Sequence, residues 1–211
     1  DQIIPSQFDN LLAFMRNNYH QKDQYYLQNL MGSHDIERFA SMVANPDRWI
    51  DHASNLQYDK DFKVRKPNQK ERQLQKVIIT FQFTYLGAPY IYYGDEVGMW
   101  GADDPDCRKP MIWEEFEYED EKYHPFGLER PVNKVEVNHD LLNHYRKMAG
   151  LREKYECLRN GGYETLLTDD QNMLYAFKRS TANQQIIAVF NLSDQVQRID
   201  KGELFQEKDE N

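Results

Sequence analysis

The first half of the chain alternates between helical and strand-like patterns of apolar residues. After Pro5, apolar side chains recur at the i, i+3, i+4, i+7 spacing of one helix face: Phe8, Leu11, Leu12 and Met15. This spacing predicts an amphipathic helix. The run YYLQNLM at 25–31 is short, apolar and aromatic, and it predicts a buried strand. Polar residues and a helical stretch near 36–44 follow.

The same alternation recurs further along the chain. Residues 46–68 are rich in Asp, Asn, Lys and Pro, and they predict an excursion on the surface. A helical spacing then extends to Gly87, a residue suited to a helix C-cap. The segment VIIT at 77–80 is β-branched, but the length and the 3.6-residue period favour a helix. Residues 88–93 predict a second buried strand that ends in acidic residues.

A long polar stretch at 94–137 predicts a loop, and its acidic run at 114–121 is typical of a solvated surface. Loops of this length are uncommon in compact domains unless they are functional or disordered. Residues 140–157 return to a helical pattern, with Asn138 or Asp140 as the predicted N-cap. The strand–helix alternation up to this point predicts a parallel sheet with helices.

The pattern changes at about residue 158. Three strand-like runs with a period of two are separated by short polar connections, so we predict antiparallel hairpins in a separate β module. Only two βα units precede it, whereas a complete (β/α)8 barrel needs about 250 residues. The chain also begins without Met. We therefore expect it to be a piece of a larger fold.

Composition and charge narrow the class of protein. The 211 residues are 40% hydrophobic and 13% aromatic, which is typical of a folded globular protein. The net charge of −9 argues against nucleic acid or an anionic membrane surface as a partner. Cys107 and Cys157 form no disulfide framework and no C-x-x-C zinc motif. No apolar run reaches membrane-spanning length and residues 1–15 contain no signal peptide. The sequence therefore does not indicate a cellular compartment.

Ser33, His34 and Asp35 are adjacent and follow the first predicted strand. A serine-hydrolase triad is a poor interpretation, because triad members meet in space and seldom adjoin in sequence. Two interpretations remain. Ser33 or Asp35 would cap the next helix, or the cluster would line an active site, as polar residues at the carboxyl ends of parallel strands do.

A second polar cluster follows the second strand. Asp95 and Glu96 suit a strand-end hydrogen-bonding pair better than acid–base catalysts. Asp104 and Arg108, at i and i+4, would pair with each other or reach jointly toward a polar ligand. The aspartates of the DDPD run lack the spacing of an EF-hand calcium loop.

The sequence allows more than one role for the aromatic residues and histidines around this cluster. Four aromatic side chains would be core residues or would stack on a sugar ring: Tyr92, Tyr93, Trp100 and Trp113. Three histidines show no metal-ligand spacing and are predicted to be surface or hydrogen-bonded residues: His124, His139 and His144.

Taken together, the two clusters resemble the motifs of a known protein family. NLMGSHDIERF at 29–39, followed about fifty residues later by GAPYIYYGDEVGMWGADDPDCRKPMIW at 87–113, strongly resembles the α-amylase superfamily of glycoside hydrolases. The DDPDCRKPM segment looks closest to the neopullulanase, cyclomaltodextrinase and maltogenic amylase branch. The resemblance covers about residues 8–200 and rests on two separated motifs in the right order.

The resemblance implies an α/β fold, the C-terminal part of a (β/α)8 TIM barrel. It makes 25–35 barrel strand 7 with its catalytic loop, 88–96 strand 8, and 140–157 the last barrel helix. Residues 1–157 would then belong to the catalytic barrel. Residues 158–211 would be a small antiparallel β-sandwich domain, short or truncated at its end.

Four site residues follow from the resemblance. The position of Asp35 is the family's third essential carboxylate, which binds sugar hydroxyls and stabilises the transition state. The position of His34 donates hydrogen bonds to the same sugar, in subsite −1. Asp104 and Arg108 match residues that contact the neighbouring sugar, in subsite −2. Many family members have Asn where Ser33 stands. The family's usual calcium sites lie mostly upstream, so no metal or other cofactor is expected in this chain.

The resemblance also shows what this chain lacks. Retaining glycoside hydrolysis uses a nucleophilic and an acid/base carboxylate about 5 Å apart, which the family carries after strands 4 and 5. No G-x-R-x-D nucleophile motif occurs here. We expect a parent enzyme that cleaves α-1,4 or α-1,6 bonds of α-glucans, and an inactive isolated chain with exposed barrel edges that associate. The alternatives are a non-catalytic glucan-binding relative and a transglycosylase of the superfamily.

Overall fold

A computed structural model of the chain describes residues 3–52 and 54–204. The elements follow in this order: α1 (Pro5–Asn17), β1 (Gln28–Leu30), α2 (Phe39–Ala44), α3 (Gln69–Thr84), β2 (Ala88–Tyr90), β3 (Glu121–Tyr123), β4 (Glu129–Asn133), α4 (His139–Lys154), α5 (Cys157–Asn160), β5 (Gly162–Asp169), β6 (Leu174–Ser180), β7 (Gln185–Asn191) and α6 (Lys201–Leu204). Two turns of 3-10 helix lie at Asp23–Tyr25 and Asp106–Arg108. In the described part of the chain, no helix combines the length and apolar character needed to cross a membrane.

The predicted long helices are present. α1, α3 and α4 fall where the apolar spacing placed them, and the β-branched VIIT segment is helical within α3. The predicted N-cap of α4 is confirmed for Asn138, whose Oδ1 accepts a hydrogen bond from the Leu141 amide at 3.0 Å. Gly87 follows α3 with φ +89°, a left-handed conformation that favours glycine.

The two predicted strands are shorter and less buried than expected. β1 and β2 have three residues each and pair in a two-stranded sheet. Leu30 and Tyr90, one in each strand, are exposed. The prediction of buried strands was therefore wrong for these residues. Each strand pairs only as far as its short neighbour extends, and two strands alone leave their side chains uncovered.

The chain divides into two compact units. The first holds the described residues of Asp1–Gln28, Phe81–Ala88 and Leu151–Asn211, and the second those of Asn29–Thr80 and Pro89–Gly150. In the first unit, α1 packs on the three-stranded sheet, and the Phe8 ring lies 5.6 Å from that of Tyr175. The units thus differ from the predicted division at residue 157, which stays a prediction of domain organisation.

The core of the first unit is aromatic. Phe81 and Tyr85, one helical turn apart, stack at 4.9 Å, and Phe177 and Phe190 stack at 5.8 Å across neighbouring strands. The fully buried Arg179 donates to four carbonyl oxygens, those of Thr84, Tyr85, Gly161 and Gly162, at 2.7–3.2 Å. This arginine satisfies backbone groups that would otherwise be buried without partners.

The predicted β module is confirmed as antiparallel hairpins. β5 pairs with β6 and β6 with β7, in the order β5-β6-β7, with a register shift between Thr165 and Leu167. Within the described residues of 158–204, β5–β7 form one sheet, and the predicted sandwich stays a prediction. The end of the predicted module, 205–211, lies outside the described residues.

In the second unit, the segment 46–68 is more than a surface excursion. Leu56, Phe62 and Val64 are buried in a cluster with Trp100 and with two alanines, Ala40 and Ala102. The prediction missed this because the three apolar residues are spaced irregularly among polar ones. The segment therefore covers α2 and contributes to the core of this unit.

The long polar stretch also contains structure that was not predicted. β3 and β4 form an antiparallel hairpin within it. Glu121, at the end of the acidic run, lies 2.6 Å from Lys109 Nζ and 3.4 Å from Arg130 Nη2. The prediction of a solvated run is wrong at this residue, because two cations compensate its charge.

Candidate functional site

The loop after β1 is a turn stabilised by its own serine. Ser33 Oγ accepts a hydrogen bond from the Asp35 amide at 3.1 Å, a local side-chain-to-backbone bond typical of Ser in turns. α2 begins later, and its N-cap is Arg38, with no side-chain capping bond. The capping interpretation is therefore wrong for Ser33 and Asp35. Ser33 instead shapes the turn that exposes His34 and Asp35 to solvent.

The loop that carries Asp104 and Arg108 is held in place by the buried side chain of Asp106. This aspartate is fully buried, accepts a hydrogen bond from the Ala102 amide at 2.8 Å, and is bound by Arg130 at 3.0–3.3 Å. A Cβ at Gly101 would lie 2.6 Å from the Asp106 carbonyl oxygen, so the close approach requires glycine. The last aspartate of the DDPD run is thus a structural anchor.

The two loops meet at Arg108. Its Nε donates to the His34 carbonyl oxygen at 2.9 Å and lies 2.9 Å from Asp104 Oδ1, while Nη2 lies 3.6 Å from Asp35 Oδ1. His34 Nε2 lies 3.3 Å from the same Asp35 oxygen. The structure therefore brings together all four predicted site residues, and the predicted pairing of Asp104 with Arg108 is confirmed.

The cluster is open to solvent and rich in hydrogen-bonding groups. The side chains are 46–67% exposed, so each keeps donor or acceptor capacity for a ligand. Two carboxylates, one guanidinium and one imidazole offer both acceptors and donors, which suits a neutral polyhydroxylated ligand. The guanidinium near both carboxylates limits the charge that accumulates at the site.

A buried ion pair lies next to the first loop and was not predicted. Arg38 and Asp95 are 0% and 2% exposed, and Arg38 Nη1 lies 3.5 Å from Asp95 Oδ1. Burial raises the pKa of Asp95 to about 7, and the opposite charge of Arg38 opposes this rise. Asp95 was expected to hydrogen-bond at the strand end; no sequence pattern indicated that Arg38 would be its partner.

The aromatic residues divide between core and surface. Trp100 and Tyr92 are buried, and the Tyr92 hydroxyl donates to the Cys107 carbonyl oxygen at 3.3 Å. Tyr93 and Trp113 are exposed. Burial removes Trp100 and Tyr92 as stacking platforms, whereas the other two remain available to a ligand.

The described histidines and acids form no group of three metal-ligating side chains. His124 is buried, which lowers its pKa, and its Nδ1 accepts from the Phe126 amide. His144 contacts Thr80 Oγ1 and the Lys76 carbonyl oxygen at 3.1 Å. His139 lies on the surface, 3.6 Å from Glu114. These observations agree with hydrogen-bonded or surface histidines, and the expectation of no metal stays a prediction.

Comparison with known proteins decides the family. The family model described as "Alpha amylase, catalytic domain" matches residues 1–161. The chain belongs to the alpha-amylase family. This membership confirms the superfamily resemblance inferred from the two motifs.

Individual relatives of the alpha-amylase family narrow the comparison. Neopullulanase 2 of Thermoactinomyces vulgaris is 32% identical over 190 residues, which cover 90% of this chain and 25% of the relative. Cyclomaltodextrinase of Thermoanaerobacter pseudethanolicus is 31% identical over 192 residues, 91% of this chain and 25% of the relative. The chain thus spans about a quarter of the length of these relatives.

The fold agrees with that of solved alpha-amylase-family enzymes. A solved structure of a cyclomaltodextrinase matches with a TM-score of 0.62 and 27% identity over 89% of this chain and 25% of the other. The chain therefore has the fold of part of a TIM-barrel glycosidase. The names of these relatives also place it near the neopullulanase and cyclomaltodextrinase branch.

Proposed function

We propose that this chain is the C-terminal part of the (β/α)8 barrel of a retaining α-glucan hydrolase. β1 and β2 would be barrel strands 7 and 8, α4 the last barrel helix, and β5–β7 part of the following β-sandwich. The observation that carries the proposal is the meeting of His34, Asp35, Asp104 and Arg108 in one solvent-exposed cluster of an alpha-amylase family member.

Each side chain has a proposed role that follows from its charge. Asp35 would accept hydrogen bonds from sugar hydroxyls and stabilise the positive charge of the oxocarbenium-like transition state. His34 would donate to the same sugar. Asp104 and Arg108 would bind the next sugar, because a carboxylate and a guanidinium together can engage neighbouring hydroxyls as acceptor and donor.

The arrangement of the cluster supports these roles. Arg108 lies within 3.6 Å of both carboxylates, so its charge fixes their orientation without sealing them from solvent. Asp35 and His34 are 67% and 64% exposed at the side chain. A sugar could therefore displace water from these groups without a rearrangement of the described core.

The chain alone would not turn over substrate. Retention requires a nucleophile and an acid/base carboxylate, which the family carries upstream of the strand that corresponds to β1. The relatives are about four times longer than the matched segment, and the sequence has no G-x-R-x-D motif. Asp35 would thus be one member of a set of three carboxylates.

We further infer that the substrate class is starch, maltodextrin or cyclodextrin, with cleavage at α-1,4 or α-1,6 bonds. The support is the likeness to proteins named neopullulanase and cyclomaltodextrinase. Neutral glucans also suit a chain with a net charge of −9 and an uncrowded polar site. A transglycosylase would use the same groups with a sugar acceptor in place of water.

Turnover measurements test this proposal. The full-length protein should release reducing sugar from cyclomaltoheptaose and maltoheptaose, with retention of the anomeric configuration by NMR, and residues 1–211 alone should release none. Hydrolysis by the isolated chain would contradict the missing-carboxylate argument. Glucan binding without hydrolysis by the full-length protein would contradict the enzyme and favour a binding relative. Transfer products at high maltoheptaose concentration would indicate a transglycosylase.

A further inference from the structure

A buried ion pair supports the loop that exposes His34 and Asp35. Arg38 follows Asp35 by three residues and is 0% exposed, and its Nη1 lies 3.5 Å from Asp95 Oδ1. Paired charges are uncommon in a protein interior, because their removal from water is costly unless the surroundings compensate both of them. A pair so close to the exposed cluster therefore calls for a physical explanation.

The guanidinium of Arg38 is held on several sides. Nη1 donates to the Tyr93 carbonyl oxygen at 2.7 Å, and Cζ lies 4.8 Å from the ring centres of both Tyr92 and Tyr93. Cation–π contacts of this kind strengthen when they are desolvated. Because Tyr92 and Tyr93 follow β2 with only Ile91 between, Arg38 connects the segment after β2 to the start of α2.

Two glycines let the backbone close over the pair. A Cβ at Gly32 would lie 3.2 Å from Asp95 Oδ2, immediately before the turn that begins at Ser33. Gly94 has φ +86°, and a Cβ there would lie 2.3 Å from Met99 Sδ and 3.2 Å from Arg38 Nη1. The site loop therefore rests on the Asp95 carboxyl group, with little room for any side chain between them.

The second site loop is connected to the same arginine. The Arg38 amide donates to the Gly101 carbonyl oxygen at 3.0 Å, and the Gly101 amide donates to Ser41 Oγ at 3.0 Å. Gly101 precedes Asp104 by three residues. Arg38 thus bonds to the Tyr93 carbonyl group after β2 and to Gly101 in the loop that carries Asp104. It is also the N-cap of α2, the helix that follows Asp35.

We propose that Arg38 and Asp95 are positioning residues that hold the two site loops in register, so that Arg108 reaches His34 and Asp35. Neither side chain is exposed, so neither would contact a ligand. Arg38 would act through the backbone of both loops, and Asp95 would act through its contact with the Arg38 guanidinium beneath Gly32. The inference rests on the proposed function only for what the positioned groups would bind.

The test observes the cluster itself by NMR, with no sugar present. In the labelled full-length protein, the Arg108 Nε–H resonance reports its bond to the His34 carbonyl oxygen, and the His34 ring protons report the contact with Asp35. Arg38→Lys and Asp95→Asn are compared with Arg179→Lys. Arg179 is an equally buried arginine, and its four hydrogen bonds to described residues all go to backbone carbonyl groups of the first unit.

We expect both pair variants to shift the His34 ring protons and to broaden or abolish the Arg108 Nε–H resonance. Arg179→Lys should lower the melting temperature and leave both resonances unchanged. Folded pair variants with wild-type His34 and Arg108 resonances would overturn the proposal, as would equal shifts in Arg179→Lys. If Arg38→Lys does not fold, the Asp95→Asn and Gly32→Ala variants decide the test, because they perturb the ion pair from the side of Asp95.

Kinetics of the full-length protein separate this inference from the proposed function. We expect Arg38→Lys to lower kcat for maltoheptaose at least tenfold with a smaller change in KM, while Arg179→Lys retains kcat. Unchanged kcat in a folded Arg38→Lys variant would overturn the positioning role. An inactive wild-type protein whose variants still shift the two resonances would contradict the proposed hydrolase and leave the positioning inference standing.

Discussion

Single arginines organise both units of this protein, and each does so through the shape of its guanidinium group. Arg179 binds four backbone carbonyl groups, Arg38 joins a carboxylate to a carbonyl group, and Arg108 joins two site loops. A lysine could not reproduce these contacts, because its ammonium is a single charged point rather than a planar fork with five donors. Replacement of these arginines by lysine is therefore not conservative.

The buried carboxyl group of Asp95 gives the stability a distinct pH dependence. Its pKa rises from 3.8 to about 7 in the folded state, so between these values the folded chain binds more protons than the unfolded chain. The free energy of unfolding contributed by Asp95 therefore falls as pH rises from 4 to 7. At about 1.4 kcal/mol per pKa unit, the change over this interval is roughly 4 kcal/mol.

Urea unfolding between pH 4 and pH 8 measures this effect. Relative to Asp95→Asn, the wild-type chain should lose up to about 4 kcal/mol of unfolding free energy between pH 4 and pH 7, with no further loss above this range. Asp47→Asn serves as the control for the loss of one carboxylate, since the Asp47 side chain is 70% exposed. A wild-type-to-Asp95→Asn difference that stays constant with pH would contradict the assigned burial effect.

At the scale of elements, periodicity predicted the long helices and failed for short structures. The 3.6-residue spacing recovered α3 even across VIIT, because sixteen residues repeat the pattern. β3 and β4 have three and five residues, are mostly exposed, and lie in the long polar stretch at 94–137, so no alternation marks them. Short strands depend on tertiary pairing, which a local pattern does not record.

Helix starts show the same limit. Ser33 and Asn138 both precede apolar helical stretches and both have good N-cap chemistry. Only Asn138 caps a helix, because Ser33 lies too far from Phe39, where α2 begins. For the candidate site, the two motifs predicted four residues that meet in the structure, but Arg38, with no local signature, could not be predicted.

The different roles of Asn138 and Ser33 can be tested with a matched pair of substitutions. Asn138→Ala should cost about 1 kcal/mol of unfolding free energy, because it leaves an amide of the first turn of α4 without its partner. Ser33→Ala should cost less than half of that and leave helix content unchanged, since Ser33 closes only an exposed turn. Urea unfolding monitored by far-UV circular dichroism measures both. Equal costs for the two substitutions would show that Ser33 stabilises a helix after all.

At the scale of the whole molecule, the chain is compact in two units yet leaves apolar surface uncovered. On α1, Leu11, Phe14 and Met15 are 53%, 66% and 53% exposed. A contiguous exposed apolar face is typical of a surface that another segment or copy covers. In the proposed parent barrel, the upstream helices would cover this face of α1. In the isolated chain, a second copy would cover it through self-association.

Light scattering across a concentration series tests this consequence. The isolated chain should gain average mass as its concentration rises, and Phe14→Glu should shift that gain to higher concentration. Phe116→Glu is the matched control, because Phe116 is 64% exposed and lies in the other unit. A monomer at every concentration, with sharp cooperative melting, would instead show that the chain folds and persists on its own.

Replacement of Asp35 tests its proposed role as the carboxylate that stabilises the transition state of glucan hydrolysis. In the full-length protein, kcat for maltoheptaose should fall by at least about 10³-fold in Asp35→Asn, roughly 4 kcal/mol of transition-state stabilisation, with the melting temperature nearly unchanged. Asp47→Asn, whose side chain is 70% exposed against 67% for Asp35, should retain wild-type kcat. Near wild-type kcat in folded Asp35→Asn would contradict this role of Asp35.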